Sequence, residues 1–280
     1  MKKSLLAIAV LSTLGSSFAF ADEAAAPAAQ AADAKAPPYT IAYNVGLFSQ
    51  YIFRGLTQTQ NKLAVQGGVD FTHSNGFYAG AWGSNVSWLE DARSADVSSS
   101  SPVGGLGYDN SSLELDLYGG YRGTVKEVGY DIGLLQYVYP GTPVTGAARA
   151  ETTEVYGSLS YKWVTAKLSV AVSDKVFANR DASGTYYADL TANYPLTDTI
   201  TVTAHVGRQE YSGSPSGVSN DAYYSYTDWK LGASKVIAEG VTVGGYYTDT
   251  NAKEIGYGPG VYKGGNIGDA QGTVFIQKTF

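Results

Sequence analysis

LAVQGGVDFTHSNGFYAGAWGSNVSW, residues Leu63 to Trp88, reads as two strands of about eleven residues joined at His73-Ser74-Asn75-Gly76. Asn75-Gly76 predicts a tight type I′ turn, because that turn needs positive φ at both central residues. Before the turn, Leu63, Val65, Val69 and Phe71 share one face, with Ala64, Gln66, Gly68, Asp70 and Thr72 on the other. After it, Tyr78, Trp82, Val86 and Trp88 form the expected apolar row, opposite Ala79, Ala81, Gly83, Asn85 and Ser87. An apolar face backed by a small-or-polar one, over strands this long, suits a membrane barrel better than a soluble sandwich.

The N-terminus predicts export. Lys2 and Lys3 precede an apolar run from Leu5 to Leu14, and Ala19-Phe20-Ala21 offers a cleavage site, so residues 1–21 read as a signal peptide. The run is too short to span a membrane as a helix. Residues 22–38, DEAAAPAAQAADAKAPP, read as an Ala/Pro-rich periplasmic leader. Residues 39–280 are left for the barrel itself.

Composition narrows the class further. Charged residues make up 16% of the chain, below the usual share of about 25% for soluble domains. Cysteine is absent, which removes disulfides and thiolate metal sites. A net charge of −6 without a basic patch argues against nucleic-acid binding.

From Tyr39 onward, period-2 alternation repeats in segments near ten residues, and about twelve antiparallel strands are expected. Strand one is drawn from Tyr39 to Arg54, with Ile41, Tyr43, Val45, Leu47, Tyr51 and Phe53 outward. The connections alternate short and long: Ser74–Gly76, Gly123–Glu127, Val164, Pro195–Thr199 and Ile237–Gly240 against longer segments such as Leu89–Ser111 and Asn251–Gln271. Short periplasmic turns and longer extracellular loops produce that pattern. Phe71, Tyr78, Tyr121, Tyr130, Trp163, Tyr194 and Phe280 then form a periplasmic aromatic girdle, and Tyr51, Phe53, Trp88 and Tyr186 an upper one. Phe280, closing an amphipathic last strand, resembles the signal read by the barrel-assembly machinery, although Lys278 departs from its usual apolar pattern.

Tyr51-Ile52-Phe53-Arg54-Gly55 and Leu56-Thr57-Gln58-Thr59, Ala64–Gly68 and Gly76–Val86 resemble the TorF family of porins. Glu114-Leu115-Asp116, Tyr118-Gly119-Gly120-Tyr121 and Tyr130–Gly133 extend the likeness, which is specific over Tyr39–Pro140 and looser beyond. The resemblance implies an outer-membrane barrel acting as a channel, with no established substrate.

The expected lumen carries Asp70, Glu114, Asp116, Asp131, Glu154, Asp189 and Asp228 against Arg54, Arg122, Lys162, Lys167, Lys175 and Lys230. Charges sharing a low-dielectric wall should pair. Simple registers set Arg122 opposite Asp131, Glu154 opposite Lys175 and Asp189 opposite His205. Such groups would form either a solute-selecting constriction or a salt-bridged brace. The small residues around Ala81 predict a roomy pore wall. Two histidines, His73 and His205, with no nucleophile fixed by spacing, argue against catalysis, and no cofactor or resident metal is expected. Gly104–Gly107 and Gly256–Gly260 lack the lysine and following helix of a phosphate loop. Asp109-Asn110 and Gly264–Asp269 offer oxygen ligands for calcium at most. The expected function is passive diffusion of ions or small hydrophilic solutes through an outer-membrane barrel contacting lipid. The runner-up is a non-conducting barrel whose long loops bind a surface partner.

Overall fold

Backbone pairing runs unbroken around the molecule. In the computed structural model, which describes residues 37–92 and 107–280, twelve antiparallel strands close into a barrel. They are β1 (Tyr39–Phe48), β4 (Ala64–His73), β5 (Phe77–Asn85), β6 (Leu113–Val125), β7 (Val128–Val138) and β8 (Thr152–Tyr161), followed by β9 (Val164–Ala171), β10 (Tyr186–Pro195), β11 (Ile200–Glu210), β12 (Tyr226–Ala238), β13 (Val241–Thr250) and β14 (Gln271–Thr279). Two further short strands, β2 (Ile52–Phe53) and β3 (Leu56–Thr57), pair only with each other. The signal peptide and all but the last two residues of the leader lie outside the described residues.

Each strand pairs with its neighbour in the chain, and β1 closes the ring on β14 with Leu47 opposite Ile276. Past that ladder, Phe280 and Tyr43 exchange backbone hydrogen bonds of 2.9 and 3.4 Å, so the terminal residue is tied into the seam. Closure leaves no unpaired strand edge, which a sheet surrounded by lipid requires.

The exterior is apolar all round. Ile41, Val65, Leu117, Ile132, Leu159, Leu190, Leu231 and Val274 all point away from the lumen and are exposed. In water so continuous an apolar shell would drive aggregation, whereas in a bilayer it is the lipid-facing surface. At the short-turn end, outward rings pair as Tyr39–Phe71, Phe77–Tyr121 and Trp163–Tyr194, with centroids 5.6, 5.1 and 5.6 Å apart. At the long-loop end, Trp229 and Tyr247 lie 5.8 Å apart and Tyr186 joins them on the outer face. These are the two interfacial belts.

Several sequence expectations are corrected here. The β4–β5 turn is not type I′, since Gly76 has positive φ (102°) but Asn75 does not. His73 O accepts from Gly76 N at 2.9 Å, and three residues rather than two separate the paired positions His73 and Phe77. Thr72 therefore pairs with Tyr78 and Val69 with Ala81. Adding one residue to a turn exchanges the two faces of the strand that follows. Tyr78, Trp82 and Ser84 consequently face the lumen, while Ala79, Ala81 and Gly83 face outward, so Ala81 lines no pore and Tyr78 leaves the girdle. Ala81→Trp is thus expected to leave single-channel conductance unchanged, a result that current recordings in planar bilayers would check.

Lys162 sits at positive φ (54°) in the turn between β8 and β9, exposed, with its ammonium 5.1 Å from the Tyr161 ring. Lys175 lies beyond the end of β9 and is exposed too, so Ala171, not Lys175, pairs with Glu154. Neither lysine lines the lumen. Strand one ends at Phe48, and Tyr51, Phe53 and Trp88 are buried inside instead of forming an upper belt.

Candidate functional site

The long connection after β1 turns into the barrel rather than away from it. Ser49 marks the turn, its backbone N–H donating to Val274 O at 2.9 Å and its hydroxyl accepting from Val274 N at 3.1 Å. Beyond it, Ile52 pairs with Thr57 and Phe53 with Leu56, leaving Arg54-Gly55 as the two-residue tip of an inner hairpin. Both tip residues have positive φ (48° and 81°), which a two-residue turn of the primed kind demands and which glycine at the second position relieves. All four paired residues are buried.

This hairpin reaches every side of the wall. Tyr51 Oη donates to Glu114 Oε1 on β6 at 2.6 Å, and its ring meets Trp82 of β5 edge-on at 5.5 Å. The Phe53 ring is 5.6 Å from Tyr137 of β7 and 5.5 Å from Phe177. Arg54 crosses to the far wall: Nη2 donates to both Glu154 oxygens on β8 at 3.0 and 2.8 Å, and Nη1 donates to Gln209 Oε1 on β11 at 2.8 Å. Its guanidinium also lies 4.4 Å from the Tyr187 ring on β10. Gly55 abuts Thr250 and Asp228 closely enough that any side chain there would collide with them. The Arg54 and Glu154 side chains are 1% and 2% exposed, so at this level the lumen is filled rather than open.

Below the hairpin a second layer centres on His205. Its Nε2 lies 2.9 Å from Asp228 Oδ2 and 3.0 Å from Tyr187 Oη, and its Nδ1 is 3.4 Å from Asp189 Oδ2 and 2.9 Å from Thr191 Oγ1. The imidazole thus bridges two carboxylates. Asp189 pairs in register with Gly207 and not with His205, so the expected partners meet diagonally. Gly207 matters here because a Cβ would occupy the position of the Tyr187 hydroxyl, which donates to Asp228 at 2.8 Å. Lys167 and Lys230 lie at the same depth, 4.2 and 5.4 Å from the Tyr156 and Tyr246 rings. Replacing His205 with Phe leaves two facing carboxylates without their bridge, and each buried group so stranded costs about 1–3 kcal/mol. Urea unfolding of the refolded barrel in lipid is expected to register that loss.

A third layer lies near the short turns. Arg122 and Asp131 are in register, as expected. Asp131 accepts from Tyr78 Oη at 2.7 Å, Tyr78 and Tyr156 hydroxyls are also bonded, and Arg122 donates to Thr72 Oγ1 at 2.9 Å. Tyr118 Oη donates to Asp70 Oδ1 at 2.5 Å. Asp70, Arg122 and Tyr78 are only partly buried, so this end is more open to water than the hairpin level.

The structure therefore brings Arg54, Asp70, Glu114, Asp116, Arg122, Asp131, Glu154, Asp189, His205, Asp228 and Lys230 to the lumen, and excludes Ala81, Lys162 and Lys175. Both oxygens of Asp116 and one of Glu114 are buried without a hydrogen-bond partner, which leaves the upper β6 wall uncompensated. Sequence reasoning did not anticipate Tyr51, Tyr137, Phe177, Tyr187 and Gln209 as the bed of the hairpin. The one available signal was Gly55, directly after Arg54 at the expected end of strand one, a residue suited to a tight turn there. Among the described residues, no group of three or more His, Asp or Glu could hold a metal ion.

Comparison with solved structures finds the same kind of barrel. A KdgM porin superposes with a TM-score of 0.50 at 7% identity, over 86% of this chain and 98% of that one. A NanC porin gives 0.49 at 12% identity, over 86% and 99%. The COG4313 outer-membrane channel from Pseudomonas putida F1 gives 0.48 at 12% identity, over 90% and 100%. At these identities the likeness concerns the fold. No curated protein sequence matches significantly. The sequence model of one bacterial family, described only as proteins of unknown function (Gcw_chp), matches residues 31–280, and the chain belongs to that family.

Proposed function

We propose that this protein is an outer-membrane channel for passive diffusion of ions or small hydrophilic solutes, closed at its long-loop end by the inner hairpin β2–β3 and opened when that hairpin is displaced. One observation carries the reading: a charged, partly exposed lumen ends against a plug that shares no strand ladder with the wall and is held by side chains and by backbone bonds to the loops, such as Thr57 N–H to Ile267 O. A barrel meant only to be rigid would gain from a continuous apolar filling, because buried ion pairs are at best weakly stabilising. The short turns then face the periplasm and the long loops the outside. The residues Tyr51–Thr59, on which the likeness to TorF-family porins partly rests, contain the hairpin. Phe280, exposed at the end of the closing strand, is the feature we assign to recognition by the barrel-assembly machinery. Reconstitution into planar bilayers, with conductance and reversal potential measured under a salt gradient, tests the channel reading. A properly folded barrel that never conducts, even without its hairpin, would instead support a structural role with partner-binding loops.

A further inference from the structure

With Lys162 and Lys175 outside the lumen, its acids outnumber its bases among the described residues, and the excess is unevenly placed. Below the hairpin the two signs alternate. Arg122, Asp131, Lys167 and Asp189 follow one register row around the wall. Lys230 stands opposite His205, which bridges Asp189 and Asp228, while Asp70 accepts from Tyr118. Four acids and three bases at that depth nearly cancel.

The hairpin level is different. Here the wall presents Glu114 and Asp116 on β6 and Glu154 on β8, each at most 1% exposed. Three of their oxygens, Glu114 Oε2 and both of Asp116, are buried without a hydrogen-bond partner. Gln66 on β4 shares a register row with Glu114 through Ser84, and its amide oxygen and nitrogen are buried without partners too. Tyrosines cover the acids: Tyr51 donates to Glu114, and Tyr137 Oη to Glu154 at 3.3 Å. Arg54, the cation paired with Glu154, belongs to the plug. Displacing the hairpin therefore changes the charge of the path as well as its width. Arg54 leaves, water enters, and in water carboxylates are ionised at pH 7. The opened section then carries three wall carboxylates and an amide oxygen, the ligands that hard cations use. Carboxylates lining a pore admit cations and repel anions.

We propose that the channel passes small cations in preference to anions, and that Glu114, Asp116 and Glu154 set this preference once the hairpin has moved. The proposal rests on the channel reading above and names its solute class. The test is the reversal potential under a KCl gradient in planar bilayers. Potassium and chloride diffuse almost equally fast in water, so the sign of the potential reports the wall. The intact chain and a barrel lacking residues 51–58 are both recorded, because the second keeps all three carboxylates and loses Arg54. A carboxylate about 4 Å from an ion in water changes its local concentration about fivefold. Potassium is therefore expected to permeate at least about fivefold better than chloride through either barrel. Glu114→Gln with Asp116→Asn, made in the shortened barrel, should lower that ratio by about fivefold. If that variant fails to close, as heat-modifiable migration would show, Glu154→Gln in the same barrel should give a comparable loss. A ratio near unity or a preference for chloride in a conducting barrel would overturn the proposal and leave the channel reading standing. An unchanged ratio in the folded variants would overturn it as well. Silence of both barrels, once folded, would remove the channel reading and this proposal with it.

Discussion

Deleting residues 51–58 and rejoining the ends with a short Gly-Ser linker is expected to convert a mostly closed barrel into a persistently conducting one. The twelve-strand ring does not depend on the excised residues, because β1 pairs with β4 and β14 and never with β2 or β3. What the deletion removes is the filling: Phe53, Leu56 and the Arg54 side chain, which together occupy the lumen beside Tyr137, Tyr187 and Glu154. Twelve strands enclose more space than the eight whose interior side chains alone can fill. Single-channel recording would show long open dwell times in the deletion and brief, infrequent ones in the intact chain. Heat-modifiable migration on a gel confirms that the shortened barrel has closed.

The second large effect comes from a single ion pair. Arg54→Met leaves Glu154 buried without its cation, and breaking a buried pair from one side costs about 3–5 kcal/mol. The guanidinium also loses its bond to Gln209 and its contact with the Tyr187 ring. Because that cost falls on the closed position of the hairpin, opening should become more frequent by roughly two orders of magnitude or more, at tenfold per 1.4 kcal/mol. Arg54→Met combined with Glu154→Leu removes both charges and should return opening toward the wild-type frequency. If the double variant is as open as the single one, the hairpin is held by something other than the pair.

Much of this architecture was legible in the sequence, because a barrel strand writes its environment as period two. Ile41 to Leu47, Val155 to Tyr161 and Leu190 to Tyr194 face lipid as their alternation says. Loop-length alternation likewise anticipated twelve strands and their up-and-down order. The failures have identifiable causes. At Ser74–Gly76 the turn is one residue longer than Asn-Gly suggested, and that one residue exchanged both faces of β5. Tyrosine deepens the ambiguity, since its ring suits lipid and its hydroxyl suits a carboxylate. Tyr78 chose Asp131.

The inner hairpin was hidden for a different reason. Tyr51 and Phe53 continue the odd-numbered rhythm of Tyr43, Val45 and Leu47, so the alternation passes through the bend at Ser49 without a break. Which residues meet across the lumen was also beyond reach. Arg54 and Glu154 are a hundred positions apart, and their contact exists only once the ring has closed. Neighbouring-strand pairs such as Arg122 and Asp131 depend on one turn alone and came out in register.

The most direct measurement locks the hairpin in place. The chain has no cysteine, so Gly55→Cys with Thr250→Cys introduces one isolated pair. An added Cβ at residue 55 would lie 2.5 Å from Thr250 Cγ2, which Thr250→Cys removes, and 2.7 Å from Asp228 Cβ, so the hairpin tip must shift away from Asp228 as the disulfide forms. A side chain at the positive φ of residue 55 costs about 1–2 kcal/mol, which the bond offsets in the oxidised form. With the bond formed, the reconstituted barrel should be silent at every applied voltage, and reduction in the same bilayer should restore current steps. Identical steps before and after reduction would show that solutes pass without moving the hairpin, and would contradict the account.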